Sequence, residues 1–344
     1  MSIKQWNAGI IRPVPVAPTG PYQDGAAPGV WTLDQVAYWQ KQGLWPIAGN
    51  AAPIGLFGGG GAATGNINTI DKIIITSAGN ASDFGDLLQT PYALASCSSS
   101  TRGLFAGGDG TPGRTNVIAY VTFSSVGNAT DFGDLLVANG TLAGCSNSVR
   151  GLFAGGEAPS LTSAISYVTI ATTGNATSFG NLTAARRFMG GACASSVRGV
   201  FSGGRDSGGA VSNIIDYVTI ASTGNATDFG DLTNASESGS GCGSSVRGVF
   251  AIGYTTTQVN IINYITIASA GNATDFGDLT VSRYSLAGCS STVRGVFGGG
   301  YGPSYSNVID FITIDTAGNA SDFGDLTVER YALGACSNSH GGIS

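Results

Sequence analysis

The amino-acid sequence predicts an all-β chain, a six-bladed β-propeller that carries an extended N-terminal arm. Three observations lead there. Gly-Asn turns stand at Gly79, Gly127, Gly174, Gly224, Gly271 and Gly318, spaced 48, 47, 50, 47 and 47 residues apart. A period of that length belongs to four-stranded propeller blades and exceeds a β-helix rung or a leucine-rich repeat. Glycine is abundant, 55 of 344 residues, and only 10% of residues are charged, a composition of many turns and closely stacked strands. Each repeat also holds four strand-like segments.

The arm comes first. Residues 1–52 hold all four tryptophans, Trp6, Trp31, Trp39 and Trp45, and six of the eleven prolines. Proline fixes φ and removes a donor, so the segment RPVPVAPTGPYQDGAAPG reads as extended and PPII-like. A short helix is expected over 33–42. Thr32 and Gln35 fit a capping box, and Gly43 with Pro46 fit a stop. Leu33, Val36 and Ala37 would form its apolar stripe, with Tyr38 and Trp39 beside it. A helix this short needs something to pack on. Either it docks on the side of the propeller, or Trp6, Trp31, Leu33, Val36, Tyr38, Trp39, Leu44 and Trp45 form an anchor for another protein.

The repeats occupy 53–344. Strand a is read at Tyr92–Cys97, strand b at Gly103–Gly108, strand c at Asn307–Ile314 and strand d at Asp322–Leu326, with equivalents in every copy. Strand c alternates with period two. It carries an aromatic residue seven positions before the turn glycine, at Tyr120, Tyr167, Tyr217, Tyr264 and Phe311, whereas the first copy has Lys72. Small residues in strand a suit the crowded position around a central channel. The array starts inside a unit at strand b (54–60) and stops after a strand a (331–337). Joining those ends makes six complete blades and removes the open sheet edges.

Several recurring residues look like chemistry when seen once. Cys97, Cys145, Cys193, Cys242, Cys289 and Cys336 fall at one place per repeat. Equivalent positions point the same way and lie too far apart to bridge, so they read as small buried residues. Arg102, Arg150, Arg198, Arg247 and Arg294 precede strand b. A ring of arginines would suit an anion, but a bond to a carbonyl or carboxylate of the same or next blade, with Asp134 and its equivalents as candidates, is the simpler reading. Asp-Phe-Gly at Asp83, Asp131, Asp228, Asp275 and Asp322 lacks any kinase context and reads as an Asx-type turn. The sole histidine is His340. Without Cys/His clusters or a nucleophile–base pair, we expect no metal site, cofactor or catalytic residue.

The net charge of −6, with lysine only at 4, 41 and 72, argues against nucleic-acid binding. No apolar run reaches spanning length, and the first residues lack the apolar core of a signal peptide. No membrane insertion is expected, and synthesis is expected in a host cytosol.

Strand alternation places the b–c and d–a connections on one face, and these vary between copies. The a–b and c–d connections share the other face and are nearly constant. Varied loops on a fixed scaffold are where recognition usually resides. Asp109, Arg114, Glu157, Arg205, Asp206, Tyr254, Tyr301 and Tyr305 are the candidate contacts for a glycan or a protein surface, against the alternative of simple drift in solvated loops.

The unit resembles the kelch repeat. Arg187, Arg283 and Arg330 stand before strand a. Gly107-Gly108, Gly155-Gly156, Gly203-Gly204 and Gly298-Gly299 supply its double glycine. The tryptophan of the kelch pattern is replaced by Phe84, Phe132, Phe179, Phe229, Phe276 and Phe323. The reiterated GNATDFGDLT…RGVFGGG unit, with the arm ending in GVWTLDQVAYWQKQGLWP, is similar to repeats in virion proteins of tailed bacteriophages. That resemblance implies a non-enzymatic structural or binding protein of the virion, such as a head decoration, fibre or host-attachment component. The arm would anchor it to other virion proteins, in multiple copies within a symmetric assembly. The alternative is a glycan-binding or glycan-hydrolysing propeller.

Overall fold

A computed structural model describes residues 5–6, 9–10, 34–35, 52–110 and 113–343. The chain divides into two units, Met1–Ala52 and Pro53–Ser344. In the first, Gln5–Trp6 pairs antiparallel with Gly9–Ile10. Of the expected helix 33–42, Asp34 and Gln35 are helical and exposed; the remainder lies outside the described residues.

The second unit is a six-bladed β-propeller of four-stranded antiparallel sheets. Blade 1 runs Ala95–Ser98, Arg102–Ala106, Val117–Thr122 and Thr130–Asp134, as strands a to d. Blade 2 runs Ala143–Ser146, Arg150–Ala154, Ala164–Thr169 and Thr177–Asn181. Blade 3 runs Gly191–Ala194, Arg198–Ser202, Ser212–Thr219 and Thr227–Ser236. Blade 4 runs Ser240–Gly243, Arg247–Ala251, Ile261–Thr266 and Thr274–Asp278. Blade 5 runs Ala287–Ser290, Arg294–Gly298, Val308–Thr313 and Ser321–Asp325. The sixth sheet takes strand a from Gly334–Ser337 and strands b, c and d from Ile54–Gly58, Thr69–Ile74 and Ser82–Asp86. Cys336 stands opposite Leu56 in that sheet. Strands a of successive blades are neighbours, and that of the sixth sheet neighbours that of blade 1.

The constant residues of the repeat join blade to blade. Each cysteine is buried and free, and its sulfur faces the glycine that opens strand b of the next blade. A Cβ on Gly103 would lie 2.7 Å from Cys336 Sγ, and one on Gly295 2.6 Å from Cys242 Sγ. The Arg-Gly pair at the head of strand b therefore holds a glycine to admit the neighbour's sulfur. Burial pushes the thiols up, Cys145 and Cys289 to about 12, so they stay protonated and inert.

The strand-b arginines also join blades. Arg102, Arg150, Arg198, Arg247 and Arg294 each lie 4.4–4.7 Å over the strand-c aromatic of their own blade. From there Arg102 Nη1 donates to the carbonyl of Ile170 (3.1 Å), Arg150 to Ile220 (3.0 Å) and Arg294 to Ile75 (3.3 Å), all in the following blade. The acceptors are carbonyls rather than Asp134 and its equivalents. The sixth sheet has Ile54 and Lys72 at the two positions, so arginine and aromatic are lost together, as a stacked pair should be.

The Gly-Asn turn is a latch. Gly174 and Ala176 N–H groups donate to the Phe132 and Asp134 carbonyls of the preceding blade at 2.7 Å each, and Asn175 Oδ1 accepts from the Asp134 N–H at 3.0 Å. All six junctions repeat this, including Gly79 to Phe323 and Ala81 to Asp325. Asp-Phe-Gly lies inside strand d and not in an Asx turn. A bulge at Ile118/Ala119 sets Phe132 opposite no single partner and turns its ring into the core, 2% exposed. Gly133 (φ 142°) follows because the next blade's turn presses on it: a Cβ there would meet the Gly174 carbonyl at 2.6 Å.

Strand a begins later than expected, at Ala95 and not Tyr92. Ala93 sits in the left-handed region (φ 54°), as do Thr141, Phe188, Ser238, Ser285 and Ala332 in the other blades. Non-glycine residues are uncommon there. In five of the six the conformation aims the N–H at the neighbouring blade: Ala93 donates to the Ala332 carbonyl at 2.6 Å, Ala332 to Ser285 at 2.7 Å and Ser285 to Ser238 at 2.6 Å. With Thr141 to Ala93 and Ser238 to Phe188 (2.8 Å each), these bonds form an open belt around the mouth of the channel, from Thr141 to Phe188.

Candidate binding site

Divergent residues converge just outside that belt. The residue before each left-handed position forms an antiparallel bridge with the third residue after strand b. The bridges are Tyr92–Asp109, Gly140–Glu157, Arg187–Arg205, Glu237–Tyr254, Tyr284–Tyr301 and Tyr331–Gly61. One ring of side chains results, on the face that carries the b–c and d–a connections.

Side chains in this ring pair across blade boundaries, and each boundary uses one kind of chemistry. Arg187 Nη1 donates to Glu157 Oε2 at 2.6 Å, and Arg205 pairs with Glu237. Arg114 Nε donates to Asp109 Oδ1 at 2.8 Å and lies 3.9 Å from Glu157. At the Asp109 boundary the opposing residue is Gly140, where a Cβ would meet the carboxylate at 2.8 Å. At the remaining boundaries the partners are aromatic. Ring centroids stand 5.6 Å apart for Tyr254–Tyr284, 6.0 Å for Tyr301–Tyr331 and 6.3 Å for Tyr331–Tyr92. Tyr305 packs edge-on to Tyr301 at 5.3 Å. The ring is therefore half ion pairs and half tyrosines, and every tyrosine in it is partly exposed. Burial, followed by the neighbouring tyrosines, pushes the phenols of Tyr284 and Tyr331 up. They remain neutral hydroxyls that both donate and accept.

No family model matches the chain, and no curated protein matches it significantly.

Of the residues singled out from sequence, Asp109, Arg114, Glu157, Arg205, Tyr254, Tyr301 and Tyr305 lie in or beside this ring. Asp206 does not contribute: its Oδ1 accepts from the Gly208 and Ala210 N–H groups at 2.8 and 2.9 Å, shaping its own loop. The ring adds Tyr92, Glu237, Tyr284 and Tyr331, all from d–a connections. Their signal is position alone, one residue before the left-handed residue. Of the arm residues, Trp6 lies in the short strand Gln5–Trp6. Trp31, Leu33, Val36, Tyr38, Trp39, Leu44 and Trp45 lie outside the described residues.

Arg187 takes a different place from the one its sequence spacing indicates. Counted back from the cysteine, it aligns with Arg283 and Arg330. Blade 3 carries one extra residue around Gly190, so Arg186 holds that slot and Arg187 moves into the ring. Arg186, Arg283 and Arg330 are fully buried. Arg283 Nη1 lies 2.9 Å from Asp310 Oδ2, and Arg330 Nη2 lies 3.0 Å from Asp71 Oδ2; Arg186 pairs with Asp216. Burial lowers each guanidinium's pKa and the facing aspartate opposes it. These pairs fix the d–a connection from beneath, directly under the ring. Arg330 also donates to the Thr69 and Phe57 carbonyls at 3.0 and 3.1 Å.

Inside the ring, the channel mouth is lined by Leu94, Leu142, Met189, Leu286 and Leu333, then by Ser96, Gly144, Ala192, Gly241, Gly288 and Ala335. At the opposite end His340 and Gly341 line the channel. His340 Nδ1 accepts from the Gly342 N–H at 3.1 Å, so the proton sits on Nε2, which faces the Ser98 carbonyl at 3.2 Å. No group of three or more His, Cys, Asp or Glu able to hold a metal occurs among the described residues, and no helix among them is long and apolar enough to cross a membrane.

Proposed function

We propose that this chain is a non-enzymatic binding protein whose propeller holds the mixed tyrosine and ion-pair ring out to a partner. One observation carries the reading. Residues that repeat are spent on blade junctions, whereas those that diverge gather in a single partly exposed ring. A scaffold needs only the first set. The ring's carboxylates are engaged by arginines, which suits positioning better than proton transfer.

The setting comes from the resemblance to tailed-phage virion proteins. In this reading the propeller is a kelch-like decoration, fibre or host-attachment domain. Strands from both ends of the array close it, and residues 1–52 anchor it to other virion subunits in multiple copies. Two measurements test this. Mass spectrometry of purified particles should find the chain among the structural proteins, and recovery only from the soluble lysate would overturn the virion setting. Labelled full-length chain should adhere to the bacterial cells on which the particle grows and lose adhesion on Tyr284→Ala. Adhesion indifferent to that change would overturn the binding-face reading.

A further inference from the structure

We infer that the tyrosine arc and its junction with Arg205 and Glu237 form a binding site for a neutral glycan. The inference rests on the binding-face reading and adds the ligand class. Three features of the ring select it.

First, the ring carries no net charge to attract an ion. Arg114, Arg187 and Arg205 are matched by Asp109, Glu157 and Glu237 through the contacts above. A polyanion would find no surplus of arginine, and the chain's net charge of −6 would repel it. A cation would find each carboxylate already neutralised by an arginine.

Second, the arc from Tyr254 through Tyr284, Tyr301, Tyr305 and Tyr331 to Tyr92 is continuous across four blades. Tyrosine offers an apolar ring face with a polar tip. A pyranose has the matching character, with C–H groups on its faces and hydroxyls at its edge. A purely apolar ligand would strand the phenols and ion pairs.

Third, polar atoms beside the arc lack partners. Glu237 is only 6% exposed, and its Oε2 has no hydrogen-bond partner among the described residues; the same holds for Nε of Arg187 and Arg205. Glu237 lies close enough to Tyr284 to raise its phenol pKa. One acceptor on Glu237 and one donor on Arg205 at the end of the arc, with a further donor on Arg187 around the ring, match sugar hydroxyls, which act both ways. A ligand hydroxyl reaches Oε2 once the adjoining side chains part, and it relieves a buried acceptor that is otherwise left unpaired.

The test uses the full-length chain on a printed array of neutral gluco-, galacto- and manno-configured oligosaccharides, with sialylated and sulfated glycans alongside. Retention of at least one neutral glycan is expected, changing less than about twofold between low and high salt, because no counterions are released. Tyr284→Ala should weaken it at least tenfold and Glu237→Gln about fivefold, Tyr284→Phe should stay within about threefold, and Asp83→Asn on an outer strand should leave it unchanged. Tyr284→Phe keeps the packing, so it separates lost contact from lost folding. A blank neutral array, or binding confined to sulfated glycans and abolished by salt, overturns the inference. If the array is blank while cell adhesion still depends on Tyr284, the partner is a protein surface and the binding-face reading stands. If neither depends on Tyr284, both fall.

Discussion

At the scale of single residues, most of this chain's distinctive side chains are explained by what lies across a blade boundary. Glycine opens strand b because a sulfur occupies the space its side chain would take. Gly295→Ala should therefore cost about 1–3 kcal/mol through overpacking. Cys242→Ala combined with it should cost less than the two changes summed, by on the order of 1 kcal/mol. Additive melts would remove the Cys242–Gly295 contact from the account. His340 makes a second prediction. Burial lowers its pKa to about 4 from the ordinary 6.5, against the opposing bond to Ser98. The unfolded chain thus holds more protons between those values, so stability falls as pH drops from 6.5 towards 4 and levels off below. The difference in melting temperature between wild type and His340→Gln should shift across that window and stay flat above pH 7.

Elements are positioned by paired substitutions. Blades 3, 5 and 6 bury an Arg–Asp pair between the d–a connection and strand c. Blade 1 has Pro91 and Ala119 at the same two sites and builds the same sheet. Blades 2 and 4 use Asn139 with Ser166 and Ser236 with Asn263, so a buried ion pair is one of several ways to fill the space. Arg283→Met alone should cost about 3–5 kcal/mol, since Asp310, at 0% exposure, is left charged without a counter-charge and with only Thr280 as donor. Arg283→Met with Asp310→Ala should recover most of that loss in chemical denaturation. The Asn latch is a smaller term. Asn272→Ala removes the acceptor facing the Asp231 N–H at 3.1 Å and should cost about 0.5–1.5 kcal/mol. A loss above 3 kcal/mol would mean the asparagine does more than latch.

For the whole molecule, the decisive feature is that the sixth sheet draws its strands from both ends of the array. Gly334–Ser337 pairs with Ile54–Gly58, and Arg330 binds Asp71 and two carbonyls of that same sheet. A chain ending at Thr327 lacks both. It leaves Leu56 and Phe57, each 0% exposed, without their inner neighbours. It should lose its cooperative thermal transition and not merely melt a few degrees lower. An unchanged, cooperative melt of that truncation would show that the ring does not depend on the joint sheet.

The number of blades, the order of strands and the junction residues were legible from sequence, because a repeat prints each local requirement six times. The buried cysteines, the aromatic of strand c and the shared sheet follow from periodicity and from the need to cover strand edges. Tertiary structure alone decided what meets across blades. Residues such as Glu237 and Arg205, or Tyr254 and Tyr284, lie about 30 residues apart in sequence, and no local period links them. Their partnership depends on the left-handed residue and the bridge beside it, and the one-residue insertion in blade 3 likewise moves Arg187 from an assumed scaffold position into the ring. Strand pattern registers which face a side chain takes; it carries no record of which neighbour the next blade brings against it.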